Sequence, residues 1–305
     1  MKELFYKLKR RCIRFYKKYF TVENYETYIL SDKSFIKKMY KARLGKELDL
    51  RNPKTFTEKM NWLKLYDRRP EYTIMADKYA VREYVAGKIG KEYLVPLLGV
   101  WDNADDIDFS QLPEKFVLKC NHNSDVTICT DKSKTNEREI KEKLNNQLKD
   151  DYYLHKREWP YKNIPRKIIC EKFMENTNGE ELFDYKVFCF NGKVKLIEVN
   201  SGRFSGDLRE DHYDKDWNHI EVTIGGYPSA GDIFDKPVFM DKLYELSEKL
   251  ATGIPFVRVD FNYWDGKLYF GELTFFHSAG FTTFEPKETD TLWGSWLELP
   301  KKRRR

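Results

Sequence analysis

An α+β architecture is what this 305-residue sequence predicts, and three observations carry it. Two pairs of strand-like runs are each joined by a turn dipeptide, Asn191-Gly192 and Asp265-Gly266, which points to antiparallel hairpins. Elsewhere strands and helices alternate, and the hairpins among them argue against a doubly wound parallel sheet. Residues 21–99 read as mostly helical.

The elements follow in order. Residues 1–20 form a basic arm, in which Leu4, Leu8, Cys12, Phe15 and Tyr19 recur at helical spacing with Lys7, Arg11, Arg14 and Lys18 off that stripe. Such a helix lies either on an anionic membrane surface or against the chain's own body. A helical region is expected over 21–112. Asn52-Pro53 turns the chain, Thr55 or Thr57 caps, and residues 58–66 offer Met60, Trp62, Leu63 and Leu65 to a core. Asp77-Lys78-Tyr79-Ala80-Val81-Arg82 opens another helix, which Gly87 and Gly90 help to end.

Over 113–172 the character changes. Strands at 116–120 and 126–130 flank the loop Asn121-His122-Asn123-Ser124-Asp125, a polar helix runs from about 135 to 148, and 167–173 makes a third strand. The remainder, 173–305, holds a hairpin of 185–190 with 193–199, a long polar stretch over 200–217, and a helix near 236–251. An acidic hairpin and a basic tail, Lys301-Lys302-Arg303-Arg304-Arg305, complete it.

Composition narrows the function. A hydrophobic content of 41%, with 16% aromatic, supports a real core rather than disorder. No apolar run is long enough to span a bilayer, and no basic, apolar, small-residue succession marks a secretory signal, so a cytoplasmic location is expected. The five cysteines form no C-x-x-C pair, and Cys120, Cys129, Cys170 and Cys189 sit in apolar runs, as buried reduced thiols do. The arm carries +7 and the tail +5, so a total of +6 leaves the interior at −6. Basic residues confined to two ends argue against a nucleic-acid-binding face.

The acidic hairpin carries the chemistry. Its strands hold Arg258-Val259-Asp260-Phe261 and Phe270-Gly271-Glu272-Leu273-Thr274. A two-residue loop would send Asp260 and Glu272 to opposite faces, whereas a three-residue loop, Trp264-Asp265-Gly266, sets Arg258 opposite Glu272 with Asp260 on the same side. The second register is the expected one, with Val257, Val259, Phe261, Leu273 and Phe275 packed behind. Two carboxylates beside a guanidinium suit magnesium carrying a nucleotide phosphate. The alternative is a pair of solvated strand carboxylates partnered by Arg258.

Other residues extend that pattern. Lys119 ends an apolar strand and needs an anion or solvent, while the loop with His122 and Ser124 offers donors suited to phosphate. Glu171 is followed by Phe173-Met174, apolar surface for a purine whose amine or ribose the carboxylate could bind; an internal ion pair is the other option. Lys186, in Asp184-Tyr185-Lys186-Val187-Phe188, is a second strand cation.

In order and spacing these segments resemble the ATP-grasp superfamily, specifically its TupA-like branch of bacterial cell-surface polymer genes. The segments are Asp77 to Arg82, Phe116-Val117-Leu118-Lys119-Cys120-Asn121-His122, Asp184 through Asn191-Gly192, Arg258 to Phe261, and Phe270 to Phe275. The resemblance, over about 52–300, implies an ATP-grasp fold in which nucleotide is clasped between a small lid, 113–172, and a larger antiparallel-sheet domain, 173–305. It implies that Lys119 binds α-phosphate, Glu171 starts the adenine hinge, and Asp260 and Glu272 hold magnesium, with Lys186 and Arg258 on phosphates or acceptor. Thr274 stands where the wider superfamily has a metal-binding asparagine and can ligate through its hydroxyl. Asn123-Ser124-Asp125 departs from the glycine-containing loop of related chains.

The implied activity is ATP- and magnesium-dependent joining of an amine or amino acid to a carboxylate through an acyl phosphate, in capsule or other cell-surface polysaccharide synthesis. Its acceptor, a small or lipid-linked sugar acid, is expected at 200–217, where Arg203, Arg209, His212 and Asp214 could grip a carboxylate. A kinase acting on a sugar hydroxyl, a metal-dependent glycosyltransferase and a nucleotide-binding pseudoenzyme are the alternatives.

Overall fold

The computed structural model describes residues 30–177, 183–202, 206–231 and 234–301. The arm over 1–20, Arg203 and the end of the basic tail lie outside the described residues. Four helices come first: α1 (Asp32–Leu44), α2 (Phe56–Tyr66), α3 (Glu71–Ala76) and α4 (Val81–Lys88). Thr55, not Thr57, starts α2 through a reciprocal capping box with Glu58. Thr57 instead is buried, and its N–H and hydroxyl both donate to Asp290, at 2.8 Å each. Asp290 belongs to α8 (Glu288–Trp296), so the first and last parts of the chain lock together. A side chain at Gly294 would come within 2.2 Å of the Lys54 carbonyl, which is why glycine stands at that crossing.

A four-stranded antiparallel sheet follows, built from β1 (Leu97–Trp101), β2 (Phe116–Cys120), β3 (Val126–Cys129) and β4 (Ile168–Lys172) in the order β1-β4-β2-β3. Its outer strand β1 comes from ahead of the boundary expected at 113. The helices α5 (Glu137–Lys149) and α6 (Tyr152–Lys156) connect β3 to β4. This unit has its own core of Phe109, Phe116, Leu118, Cys120, Leu144, Ile168 and Cys170.

The larger sheet is antiparallel and six-stranded. It comprises β5 (Asp184–Phe190), β6 (Lys193–Ser201), β7 (Arg209–Asp214), β8 (His219–Ile220), β10 (Phe256–Trp264) and β11 (Lys267–Thr274) in the order β11-β10-β5-β6-β7-β8. A two-stranded ribbon of β9 (Thr223–Ile224) and β12 (Phe284–Glu285) stands apart. One face is apolar, with Val187, Ile197, Val199, Val257 and Val259 buried, and α7 (Met240–Ala251) turns Met240, Leu243, Leu246 and Leu250 into the same core. On the other face Phe188, Phe190 and Phe256 meet Phe56 of α2 and Trp293 of α8 at ring-centroid distances of 5.0–6.5 Å. Farther along, that face carries Lys186, Glu198, Arg258 and Asp260.

Two expectations need correction here. The long polar stretch over 200–217 is not outside the core: β6 runs to Ser201, and β7 places Glu210, Asp211 and His212 inside the sheet with at most 8% exposure. The hydrophobic pattern hid it because all but one of its six residues are charged or histidine. The acidic hairpin, in turn, closes with a two-residue turn, since Trp264 pairs with Lys267, and Asp265 and Gly266 both have positive φ, 44° and 79°.

Candidate active site

With that tight turn alone, Asp260 would face Gly271 and Glu272 would point to the covered side. One extra residue prevents it. The register shifts between Asp260 and Phe261, so Gly271 is a bulge and Asp260 pairs directly with Glu272, while Arg258 pairs with Thr274. The expected face is therefore present, carrying Arg258, Asp260, Glu272 and Thr274, but through a shift opposite in sense to the three-residue loop. Glycine suits the bulge because a Cβ at 271 would lie 3.1 Å from the Asp260 carbonyl.

Arg258 grips Asp260 through Nε and Nη2, at 2.7 and 2.6 Å. Its Nη2 also reaches Thr274 Oγ1 at 3.2 Å and stands 3.6 Å from Glu272 Oε1, and its Nη1 donates to His277 Nδ1 at 3.2 Å. Thr274 donates to Glu272 at 3.2 Å. Arg258 thus braces the carboxylates in place. His277, buried and facing that guanidinium, is pushed down to about 3 by burial first and Arg258 second, so it is the neutral acceptor in this pair. Burial lifts the Asp260 carboxyl to about 6 against the pull of Arg258. Glu272, with more than a third of its side chain exposed, drops to about 2 because Lys78 and Arg258 outweigh its desolvation. Neighbouring like charges are driven apart in this way, and a divalent cation relieves both.

The donor set fits magnesium in chemistry. Two carboxylates and a hydroxyl are hard oxygen ligands, and each carboxylate has lone pairs beyond those its cations use. Among the described residues no three His, Cys, Asp or Glu side chains gather as a metal cage, so two carboxylates would need phosphate oxygens and water to complete an octahedron.

The row continues across the sheet. Lys186 pairs with Asp260 on one side and Glu198 on the other, and Glu198 pairs with His212. The Lys186 ammonium bonds Glu198 Oε1 in the sheet interior. Burial favours the neutral acid, yet Lys186, with His212 and Arg258, holds the Glu198 carboxyl well below its usual range. His212 is 1% exposed, with Nε2 3.6 Å from Glu198 Oε2.

The smaller sheet presents its residues differently. Lys119 Nζ lies 2.6 Å from Glu171 Oε2, and Arg82 Nη1 lies 3.4 Å from the other oxygen. Of the two options for Glu171, the ion pair is the one formed here. Phe173 is half-buried just beyond β4. The loop after β2 is more structural than its polarity suggests. Asn121 is fully buried, its amide donating to Asp77 and the Pro165 carbonyl, and His122 is 1% exposed with Nε2 3.2 Å from the Asp150 carbonyl. Ser124 stays exposed and meets the Tyr152 hydroxyl at 3.5 Å.

The expected acceptor residues do not form one cluster. Arg209 and His212 sit at odd and even positions of β7 and face opposite sides, and Arg209 bonds Asp207 and the Ser229 carbonyl. Arg203 lies outside the described residues.

Sequence reasoning missed four contributors. Lys78 reaches Glu272 Oε2 at 3.3 Å while its backbone N–H donates to the Asn121 carbonyl, linking the helical region, the smaller sheet and the acidic hairpin at one point. Arg82 clamps Glu171 from the same segment. Both belong to a run quoted above without a role. The other two are Asn61 and Lys64 of α2, buried side chains that donate to the carbonyls of Gly280 and Ala279 at 2.7 and 2.6 Å. They hold a left-handed turn in which Ser278, Ala279 and Gly280 have φ of 47°, 52° and 72°. That conformation is costly for two residues with a Cβ and persists because the helix fixes it.

The chain is similar to known proteins. A family model described as TupA-like ATPgrasp matches residues 58–298, well over half the chain. No curated protein matches. Among solved structures, D-alanine–D-alanine ligase from Bacillus anthracis, complexed with ATP, is 13% identical with a TM-score of 0.39, covering 72% of this chain and 56% of that one. A second structure of that ligase gives 12%, 0.42, 78% and 67%, and N5-carboxyaminoimidazole ribonucleotide synthetase from Thermus thermophilus gives 12%, 0.36, 66% and 45%. This chain thus spans between about half and two thirds of the length of those proteins.

Proposed function

This chain belongs to the TupA-like ATP-grasp family, and on that premise we propose that it is an ATP- and magnesium-dependent ligase joining an amine or amino acid to a carboxylate through an acyl phosphate. One observation supports it above others: Asp260 and Glu272 stand opposed across β10 and β11, with Arg258, Lys186 and Lys78 around them. In this reading Asp260, Glu272 and Thr274 hold magnesium, Lys78 and Lys186 meet the phosphates, and Lys119 and Glu171 receive the nucleotide from the smaller sheet. The chemistry supplied by magnesium held there is charge neutralisation on the transferring γ-phosphoryl group. The chain's own cations share that task and orient the carboxylate that attacks phosphorus.

The carboxylate is proposed to be a sugar acid, small or lipid-linked, in capsule or other cell-surface polysaccharide synthesis. Among the described residues no helix is long and apolar enough to cross a membrane. Peripheral contact is proposed for residues 1–20, and loss of vesicle flotation on their removal would test it.

The test of function is product identity. Purified protein with magnesium and ATP is incubated with candidate carboxylates and amines. Release of ADP and inorganic phosphate with amide formation is expected. ADP with a phosphorylated sugar would replace the ligase by a kinase, and nucleoside diphosphate released from a sugar nucleotide without ATP would replace it by a glycosyltransferase.

A further inference from the structure

The segment that leaves the smaller sheet is fastened to the closed end of the acidic hairpin, a connection that the phosphate and metal chemistry does not use. It departs from β4 at Lys172 and runs through the half-buried Phe173 and Met174 to Glu175, Asn176 and Thr177. Trp264 Nε1 donates to the Glu175 carbonyl, and the Lys172 ammonium lies over the Trp264 ring, 4.8 Å from its centroid. One indole thus touches the residues on both sides of Phe173-Met174. Beside it, Asp265 Oδ1 accepts from the Thr177 N–H at 2.9 Å and the Thr177 hydroxyl at 3.1 Å, while the Asp265 N–H donates to Asn176 Oδ1 at 3.1 Å. From the smaller unit, the Lys115 ammonium sits 2.7 Å from both carboxylate oxygens of Glu175.

The turn closes without these bonds, because Asp265 and Gly266 at positive φ suffice to return the chain. What the bonds fix is where Phe173-Met174 stands relative to the acidic platform. Asp260 precedes Asp265 by five positions along β10, and at about 3.4 Å per residue the two are about 17 Å apart. That is the scale of an extended nucleoside triphosphate from base to γ-phosphate. The hairpin therefore works as a ruler: its turn carries the apolar surface suited to a purine, and Asp260 and Glu272 stand at the other end of the span.

We infer that Trp264 and Asp265 are positioning residues for the base of the nucleotide, holding the 172–177 segment at a fixed reach from the acidic pair. This deepens the proposed function and rests on its nucleotide. The two residues act through the base and leave the phosphate and metal contacts as they are.

The experiment compares calorimetric binding of ATP and of inorganic tripolyphosphate, each with magnesium, to the full-length protein. Asp265→Gly is the informative variant: glycine accepts the positive φ, so the turn survives while the bonds to Thr177 are lost. It should weaken ATP about fivefold or more and leave tripolyphosphate unchanged. Asp265→Asn, which keeps an acceptor oxygen and tolerates the same φ, should restore the wild-type ATP affinity. Trp264→Phe, which removes the donor and keeps an aromatic ring, should behave as Asp265→Gly does. Without nucleotide, amides over 173–177 should exchange with deuterium faster in Asp265→Gly than in the wild type. Equal weakening of both ligands, unchanged ATP affinity, unchanged exchange or failure of Asp265→Asn to restore binding would each overturn the inference. A wild type that binds tripolyphosphate as tightly as ATP would overturn it too, with the metal platform intact; a wild type that binds neither would bring down the ligase reading and the inference with it.

Discussion

The two hairpins of the large sheet are built alike and do opposite things. Each closes with a two-residue turn, Asn191-Gly192 or Asp265-Gly266, whose residues have positive φ. Each then carries one extra residue on its returning strand, Lys195 in β6 and Gly271 in β11. Without those residues Lys186 would face Ile197 and Asp260 would face Gly271; with them, Glu198 and Glu272 come round to the polar face. The first hairpin thereby sets lysine against glutamate, a pair that neutralises itself. The second sets aspartate against glutamate, a pair that calls for a cation, and the chain surrounds it with Arg258 and Lys78. One backbone device thus yields a stabilising contact in one place and, in the function proposed above, a ligand platform in the other.

That contrast can be broken from either side. The largest effect is expected for Lys186→Met, which strands the Glu198 carboxylate in the sheet interior and should cost about 3–5 kcal/mol in urea denaturation. Much of the loss should return in the double variant with Glu198→Met. Asp260→Asn should cost less stability, because Glu272 remains 3.6 Å from the same guanidinium. It should nevertheless slow ADP formation by about a hundredfold or more, as loss of a metal ligand does. If it slows nothing, the second hairpin is no platform. Gly271→Ala presses a methyl toward the Asp260 carbonyl and should reduce turnover about tenfold with far-ultraviolet circular dichroism unchanged. A further effect is the acid limb of stability. His277 stays neutral in the fold down to about 3, whereas the unfolded chain takes up that proton below about 6.5, so stability falls as pH drops through this window. In His277→Phe the urea midpoint should fall less steeply between about pH 6 and 4; an unchanged slope would remove His277 from the brace around Arg258.

Much of this was legible in the chain. Both turn dipeptides, most of the strands and the shared face of Asp260 and Glu272 were readable from residue types. The face, however, was reached through the wrong register, and the physical signal that would have corrected it was present, since an isolated glycine inside a strand marks a bulge. Lys195 gives no such signal; nothing in its chemistry distinguishes an extra residue from a paired one. The strand β7 was hidden for a different reason. Its buried groups are held by residues elsewhere in the chain, Asp211 by Ser229, Ala230 and Gly231 and His212 beside Glu198, which no local pattern reveals, so the segment read only as polar. Lys78 illustrates the same limit, because its link to Glu272 joins residues nearly two hundred positions apart.

The left-handed turn after β11 has a consequence for how this scaffold can diversify. Asn61 and Lys64 hold its main-chain oxygens and do not touch the Ser278 side chain, which is exposed beside His277. Position 278 can therefore be re-lettered while its frame stays fixed, with Asn or Gly the easiest replacements and β-branched residues the hardest at that φ. A chain of this build can alter what it presents beside the Arg258–His277 pair without resetting the turn that holds it.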